Sequence, residues 1–238
     1  MSHPLSERWD SFLARMEERF REMLPLAEQA AVDSLEQNGY DLLASSRTWM
    51  ASKEQIRASL IERIDETWLQ QVEPAMRATG GFWWVDEYQK GRRLHDALRD
   101  ELDTQDVITH GKIAERYFNH AIRLMQKTFH CKQCGAPLDI PRGVFKSQYV
   151  PCRACQTVNT FMPETQYARA GHCADQIAAW RALPLYQAYQ NSGNSREAAL
   201  AYCTALIAEK AKMVELGDQI DEEIRLAMRH LGFDWKRE

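Results

Sequence analysis

Nowhere in the 238 residues does an apolar run approach the ~20 residues that a membrane-spanning helix needs; runs such as Phe82-Trp83-Trp84-Val85 are far too short. The opening residues, MSHPLSERWD, are charged and lack an apolar stretch, so no secretory signal is expected and the chain reads as cytoplasmic. Glycine (11) and proline (8) are sparse, and no segment repeats or falls in complexity, which excludes collagen-like, solenoid and largely disordered chains. Neither sign of charge dominates. With 30 Lys+Arg against 34 Asp+Glu the net charge is −4, so the chain as a whole has no attraction for nucleic acid or an anionic membrane. Six cysteines in a cytoplasmic chain of this size suit metal binding better than disulfides, since a chain this long buries enough surface to fold without them.

Catalytic signatures are missing as well. There is no HExxH, no GxSxG, no phosphate loop of the GxxxxGK type, no GxGxxG and no pair of Glu-x-x-His motifs for a carboxylate-bridged di-metal bundle. The reading therefore leans away from an enzyme, although an active site assembled from distant residues leaves no local motif.

What is present is mostly helical periodicity. Leu5, Trp9, Phe12, Met16, Phe20, Met23, Ala27, Ala31 and Leu35 recur on one face of a first helix, with Pro25 expected to kink or divide it. A second stripe, Ile56, Leu60, Ile64, Trp68 and Val72, has a strict spacing of four, with Ser52 and Gln55 as a candidate capping box. A third pattern runs from about Val85 to Thr128, with a break expected near Gly111. Helical signal returns after Pro163, and Ser195 is expected to start a last helix reaching about Leu231. Residues 129–163 differ: they hold four of the eight prolines, which excludes a continuous helix, and Gly143–Val150 and Thr157–Phe161 read as strands. The expected fold is mainly α, a bundle of long helices with a small β module inserted. Its parts are 1–128, the insertion 129–163, and 164–238 packing with the N-terminal helices.

The module carries the chemistry. Cys131-Lys132-Gln133-Cys134 and Cys152-Arg153-Ala154-Cys155 are two CxxC pairs with 17 residues between them. Such a pair turns both sulfurs toward one metal, and a spacer of this length lets a hairpin return the second pair to the first. Four thiolates satisfy tetrahedral zinc with no open position, so Cys131, Cys134, Cys152 and Cys155 are the expected ligands of one structural zinc per chain; iron accepts the same set and is the less favoured metal. On CKQCGAPL and CRAC the module resembles the zinc-ribbon group, whose knuckles follow a CxxCG pattern; Gln156 stands where the second glycine is common. The resemblance covers about 35 residues and implies a metal-stabilised β ribbon; the helical remainder is not recognised.

Outside that module Cys173 and Cys203 read as core thiols and His130 as a solvated position. Lys132, Arg142, Lys146 and Arg153 outnumber Asp139 and give the module +3, or near +1 with zinc and four thiolates counted, on a body carrying −7. These four are candidate nucleic-acid contacts, and Phe145, Tyr149 and Phe161 either stack on bases or fill the ribbon core, the latter being favoured. Phe82, Trp83 and Trp84, near Arg77, Arg92 and Arg93, form a candidate protein interface or a hydrophobic anchor between helices. Together these features favour a non-catalytic, cytoplasmic zinc protein that serves as a protein-interaction or scaffold module. Nucleic-acid binding through the basic ribbon tip is the alternative, and the open amphipathic stripes leave room for a homo-oligomer.

Overall fold

The computed structural model describes residues 3–80, 83–124, 129–140, 143, 145–162 and 165–233. The chain is mainly α, with six helical stretches and two small antiparallel sheets of two strands among the described residues. It divides into two compact units, Met1–Thr109 and His110–Glu238, and the division falls inside one long helix.

In the first unit, helix α1 (Pro4–Gln37) passes through Pro25 undivided and buries Trp9, Leu13, Met16, Phe20, Leu24, Ala31 and Leu35. A turn with Gly39 and Tyr40 at positive φ leads to Asp41, whose carboxylate accepts from the Leu43 and Ala44 amides and caps α2 (Leu42–Ile56). The helix thus starts ten residues before the Ser52–Gln55 capping box expected from sequence; Ser52 lies in its interior and its hydroxyl donates to the Thr48 carbonyl.

The same helix continues through a π turn (Arg57–Ile61), α3 (Glu62–Thr67), a second π turn (Trp68–Val72) and α4 (Glu73–Arg77). The strict spacing of four explains these turns. At about 100° per residue, the five steps of four from Ile56 to Met76 carry the stripe round an ideal α-helix by about 200°. Each π turn takes up one extra residue, about 100°, so two turns hold Ile56, Leu60, Ile64, Trp68 and Met76 on the buried side. Pro74 accounts for the position of the second: it has no N–H and crowds the carbonyl four residues back, within Trp68–Val72.

Helix α5 (Trp84–Leu124) supplies the third wall of this unit. Its Gly91 lets Trp9 close in, since a Cβ there would lie 2.7 Å from the indole, and Trp9 Nε1 donates to the Glu87 carbonyl at 3.0 Å. Trp49 Nε1 donates to Asp106 at 2.6 Å. The buried tryptophans are thereby both apolar filler and hydrogen-bond donors.

In the second unit α5 continues without the break expected at Gly111. That glycine serves packing: a Cβ there would lie 2.3 Å from the Trp180 Cβ on α6 (Thr165–Asn191). Arg181 on α6 bridges Glu115 at 2.6 Å and Glu209 at 3.2 Å. Ser195 caps α7 (Arg196–Ala211) as the sequence suggested, with the Ala198 amide donating to its hydroxyl. The expected single last helix is instead interrupted after Ala211, where Gly217 adopts φ +54°, and resumes as α8 (Ile220–His230). Met228 of α8 closes a core with Tyr189, Ala199 and Cys203.

Between α5 and α6 lie strands β1 (Phe129–His130) and β2 (Pro137–Leu138), paired with each other, and β3 (Gln148–Pro151) and β4 (Val158–Phe161), paired likewise. The sequence suggested β3 and β4 but not the two-residue strands β1 and β2. Phe129 and Phe161 meet edge to face at 5.1 Å, which draws the two ends of the module together.

Candidate metal centre

Each hairpin carries one CxxC pair at its tip, so the spacer does not simply fold back on itself: two separate hairpins present two knuckles to a common point. The knuckles share one hydrogen-bond scheme. The Cys131 amide donates to the Ala136 carbonyl at 2.7 Å and Gly135 donates to the Cys131 carbonyl at 2.9 Å; Cys152 donates to Thr157 and Gln156 to Cys152, both at 2.9 Å. The closing residue is left-handed in both, Gly135 at φ +72° and Gln156 at +61°. Gln156 therefore does the glycine's work, at a cost of roughly 1–2 kcal/mol for a side chain in that region.

The four sulfurs lie within 4.8 Å of one another, and the cross-hairpin pairs Cys131–Cys155 and Cys134–Cys152 are each 3.7 Å apart. That is far beyond the ~2.05 Å of a disulfide. It is close to the about 3.8 Å edge of a tetrahedron whose centre lies ~2.3 Å from each sulfur. Cys131 and Cys152 are buried, Cys155 half-buried and Cys134 exposed.

The electrostatics of the bare thiols point the same way. The Cys134 amide, opposed by burial and aided by Asn159, draws Cys131 down to about 6. The Ala136 amide lowers Cys134, but the Cys155, Cys152 and Cys131 sulfurs outweigh it and push Cys134 up to about 12. The Thr157 hydroxyl and amide lower Cys155. Sulfurs this close resist ionising together unless a cation sits among them, and a divalent ion relieves that conflict. The residues present fit zinc: four thiolates would hold it, and the bound ion would supply folding energy and no open coordination position.

Two features of the site were not read from sequence. Asn159, 5% exposed on the inward face of β4, accepts from the Lys132 amide at 3.0 Å and donates to Cys131 Sγ at 3.5 Å and to the Thr157 carbonyl at 3.0 Å, tying the knuckles together. Its only sequence signal is a polar residue at a core-facing strand position, two before Phe161. The second is the anchor of the ribbon. Phe145 packs on Tyr167 at 4.6 Å and Phe118 at 5.7 Å, over Gly171, where a Cβ would come within 2.9 Å of it.

The candidate contact residues fall apart. Lys132 and Lys146 are exposed, with no carboxylate in ion-pair reach among the described residues, whereas Arg153 pairs with Asp139 at 3.0 Å. Arg142 and Phe82 lie outside the described residues. Phe145 and Phe161 fill the core, but Tyr149, expected beside them, is 77% exposed because it sits at an outward position of β3. Trp83 and Trp84 are half-buried in local contacts: Trp83 Nε1 donates to the Gly80 carbonyl at 3.1 Å, and Arg77 lies 4.3 Å above the Trp84 ring. Cys173 and Cys203 are fully buried away from the cluster, and burial pushes the Cys173 thiol up to about 12.

Comparison with protein-family models, with curated proteins and with solved structures returned no match to this chain. Among the described residues no helix is long and apolar enough to cross a membrane.

Proposed function

We propose that this is a non-catalytic cytoplasmic zinc protein whose ribbon docks another protein. Cys131, Cys134, Cys152 and Cys155 hold one structural zinc, and the metal fixes the two hairpins so that β3–β4 offers a defined surface. The observation that carries this reading is the outward face of that hairpin. Tyr149 is 77%, Val158 61% and Met162 73% exposed. Tyr149 stands opposite Thr160, so Val158 and Met162 are its diagonal neighbours, within reach across the strands. Large apolar side chains gathered on one exposed face mark interaction sites more often than they occur by chance. The test is affinity capture with zinc-loaded protein and with a Tyr149→Ser/Met162→Ser variant that retains its zinc. Partners captured by the parent and lost by the variant support docking through this face; an unchanged set overturns it.

A second reading rests on Lys132 and Lys146, both exposed on the ribbon without an acidic partner among the described residues. Fluorescence anisotropy against single- and double-stranded DNA and RNA at several salt concentrations decides it. Binding that weakens steeply with salt, and is lost on Lys132→Glu with Lys146→Glu, would replace the protein-docking reading by phosphate contact.

A further inference from the structure

We infer that the outer edge of β4 pairs with the same edge of a second copy of this chain, joining two ribbons into one four-stranded sheet. This deepens the docking reading above and rests on it, by naming the partner and the mode of contact.

The argument begins with which main-chain groups are free. The Cys152 amide donates to the Thr157 carbonyl, so these two residues form a bonded pair. Antiparallel ladders alternate, and the register pairs Val150 with Asn159 and Gln148 with Phe161 as the next bonded positions. Val158 and Thr160 therefore turn their N–H and C=O groups away from β3, toward the outer edge of β4. That edge pairs with no other strand among the described residues.

The two edges of the hairpin are treated differently. Folded proteins protect open edges with proline, charge or a cover, since an open edge templates pairing with another chain. The β3 edge has Pro151, which lacks a donor, and it is flanked in sequence by Lys146 and Arg153. The β4 edge has no proline within the strand and no charged residue between Arg153 and Glu164, and Pro163 comes only after the strand has ended. A two-stranded sheet is marginal by itself, and a third and fourth strand stabilise it.

The absence of charge also favours a second copy as the occupant. A twofold axis through Thr160 places Thr160 opposite Thr160 and Val158 of each copy opposite Met162 of the other. These are a hydroxyl pair and two apolar pairs, both favourable across strands, with no like charges opposed. Tyr149 of each copy then lies on the same face, beside its own Val158 and Met162. A single four-residue strand supplies few of the about 20–30 residues a side found in stable complexes, so the dimer should be weak, with a Kd of about 1–100 µM.

The experiment is sedimentation velocity of the full zinc-loaded chain across that concentration range, with zinc content measured on each sample. Val158→Lys places like charges on the edge. Thr160→Pro removes the outward donor while leaving the β3–β4 bonds in place, and Thr160→Val keeps the edge intact. The expected result is a concentration-dependent dimer, weakened at least tenfold by Val158→Lys and by Thr160→Pro and unchanged by Thr160→Val, with zinc retained throughout. A chain that stays monomeric over the range, or a dimer that Val158→Lys leaves unchanged while zinc is retained, overturns the inference. The capture experiment separates this from the broader reading: a monomer whose partners are still lost with Tyr149→Ser/Met162→Ser overturns self-pairing alone.

Discussion

The two knuckles of the ribbon are built from the same hydrogen bonds and yet are not equivalent. The first closes on Gly135 between strands of two residues; the second closes on Gln156 between strands of four. The second also contributes Asn159, which reaches across to the first knuckle's Cys131 and Lys132. A knuckle with short strands depends more on its neighbour, and would depend more on a bound metal, whereas a longer hairpin can tolerate a strained closing residue. Local strain and local pairing offset each other here, and the four-sulfur site is what the two halves share.

Removing that shared element is the largest perturbation. Mass-spectrometric metal analysis should give about one zinc per chain for the parent protein and none for Cys131→Ser with Cys152→Ser, which is also expected to unfold both hairpins while the helical far-UV signal stays. Phe145→Ala comes next, because it empties the seat between Phe118, Tyr167 and Gly171. A loss of about 3–5 kcal/mol in denaturant unfolding is expected, with zinc still bound. Asn159→Leu tests the cross-knuckle link more finely: chelator competition should show zinc affinity lower by about 10–100-fold, with no loss of the ribbon at saturating metal.

The smallest effects separate the knuckles directly. Gln156→Gly should stabilise the zinc-loaded protein by about 1 kcal/mol, and Gly135→Gln should cost more than that, because each moves a side chain out of or into the left-handed region and the shorter hairpin has less pairing to absorb it. Equal responses of both signs would mean that the strand lengths do not matter. A larger cost at Gly135 would show that the shorter hairpin has less pairing to absorb it.

The four-cysteine cluster was legible because its signal is local: four cysteines in two equal spacings need no knowledge of the rest of the chain. Most of the helices were legible for the same reason, through repeating apolar positions. What escaped depended on partners distant in sequence. Gly111 looked like a helix break, but its meaning lies in the Trp180 that it admits. Tyr149 looked like Phe145 and Phe161, and only the strand parity of β3 separates them. Asn159 was unremarked because its role exists only once the two knuckles meet. Ser52 and Gln55 matched a capping pattern, but Asp41 begins the helix earlier and left them in its interior.

The paired π turns at Arg57–Ile61 and Trp68–Val72 bear on how this chain can change length. Each holds one residue more than a regular turn requires. Deleting a residue inside such a turn, Ser59 for example, returns it to α geometry and leaves the helix on either side facing as before. A deletion elsewhere in the same helix would swing everything beyond it by about 100° and bring exposed positions into the core. The first turn, which has no proline close after it to hold it open, is thus a place where a codon can be lost without turning the helix's faces.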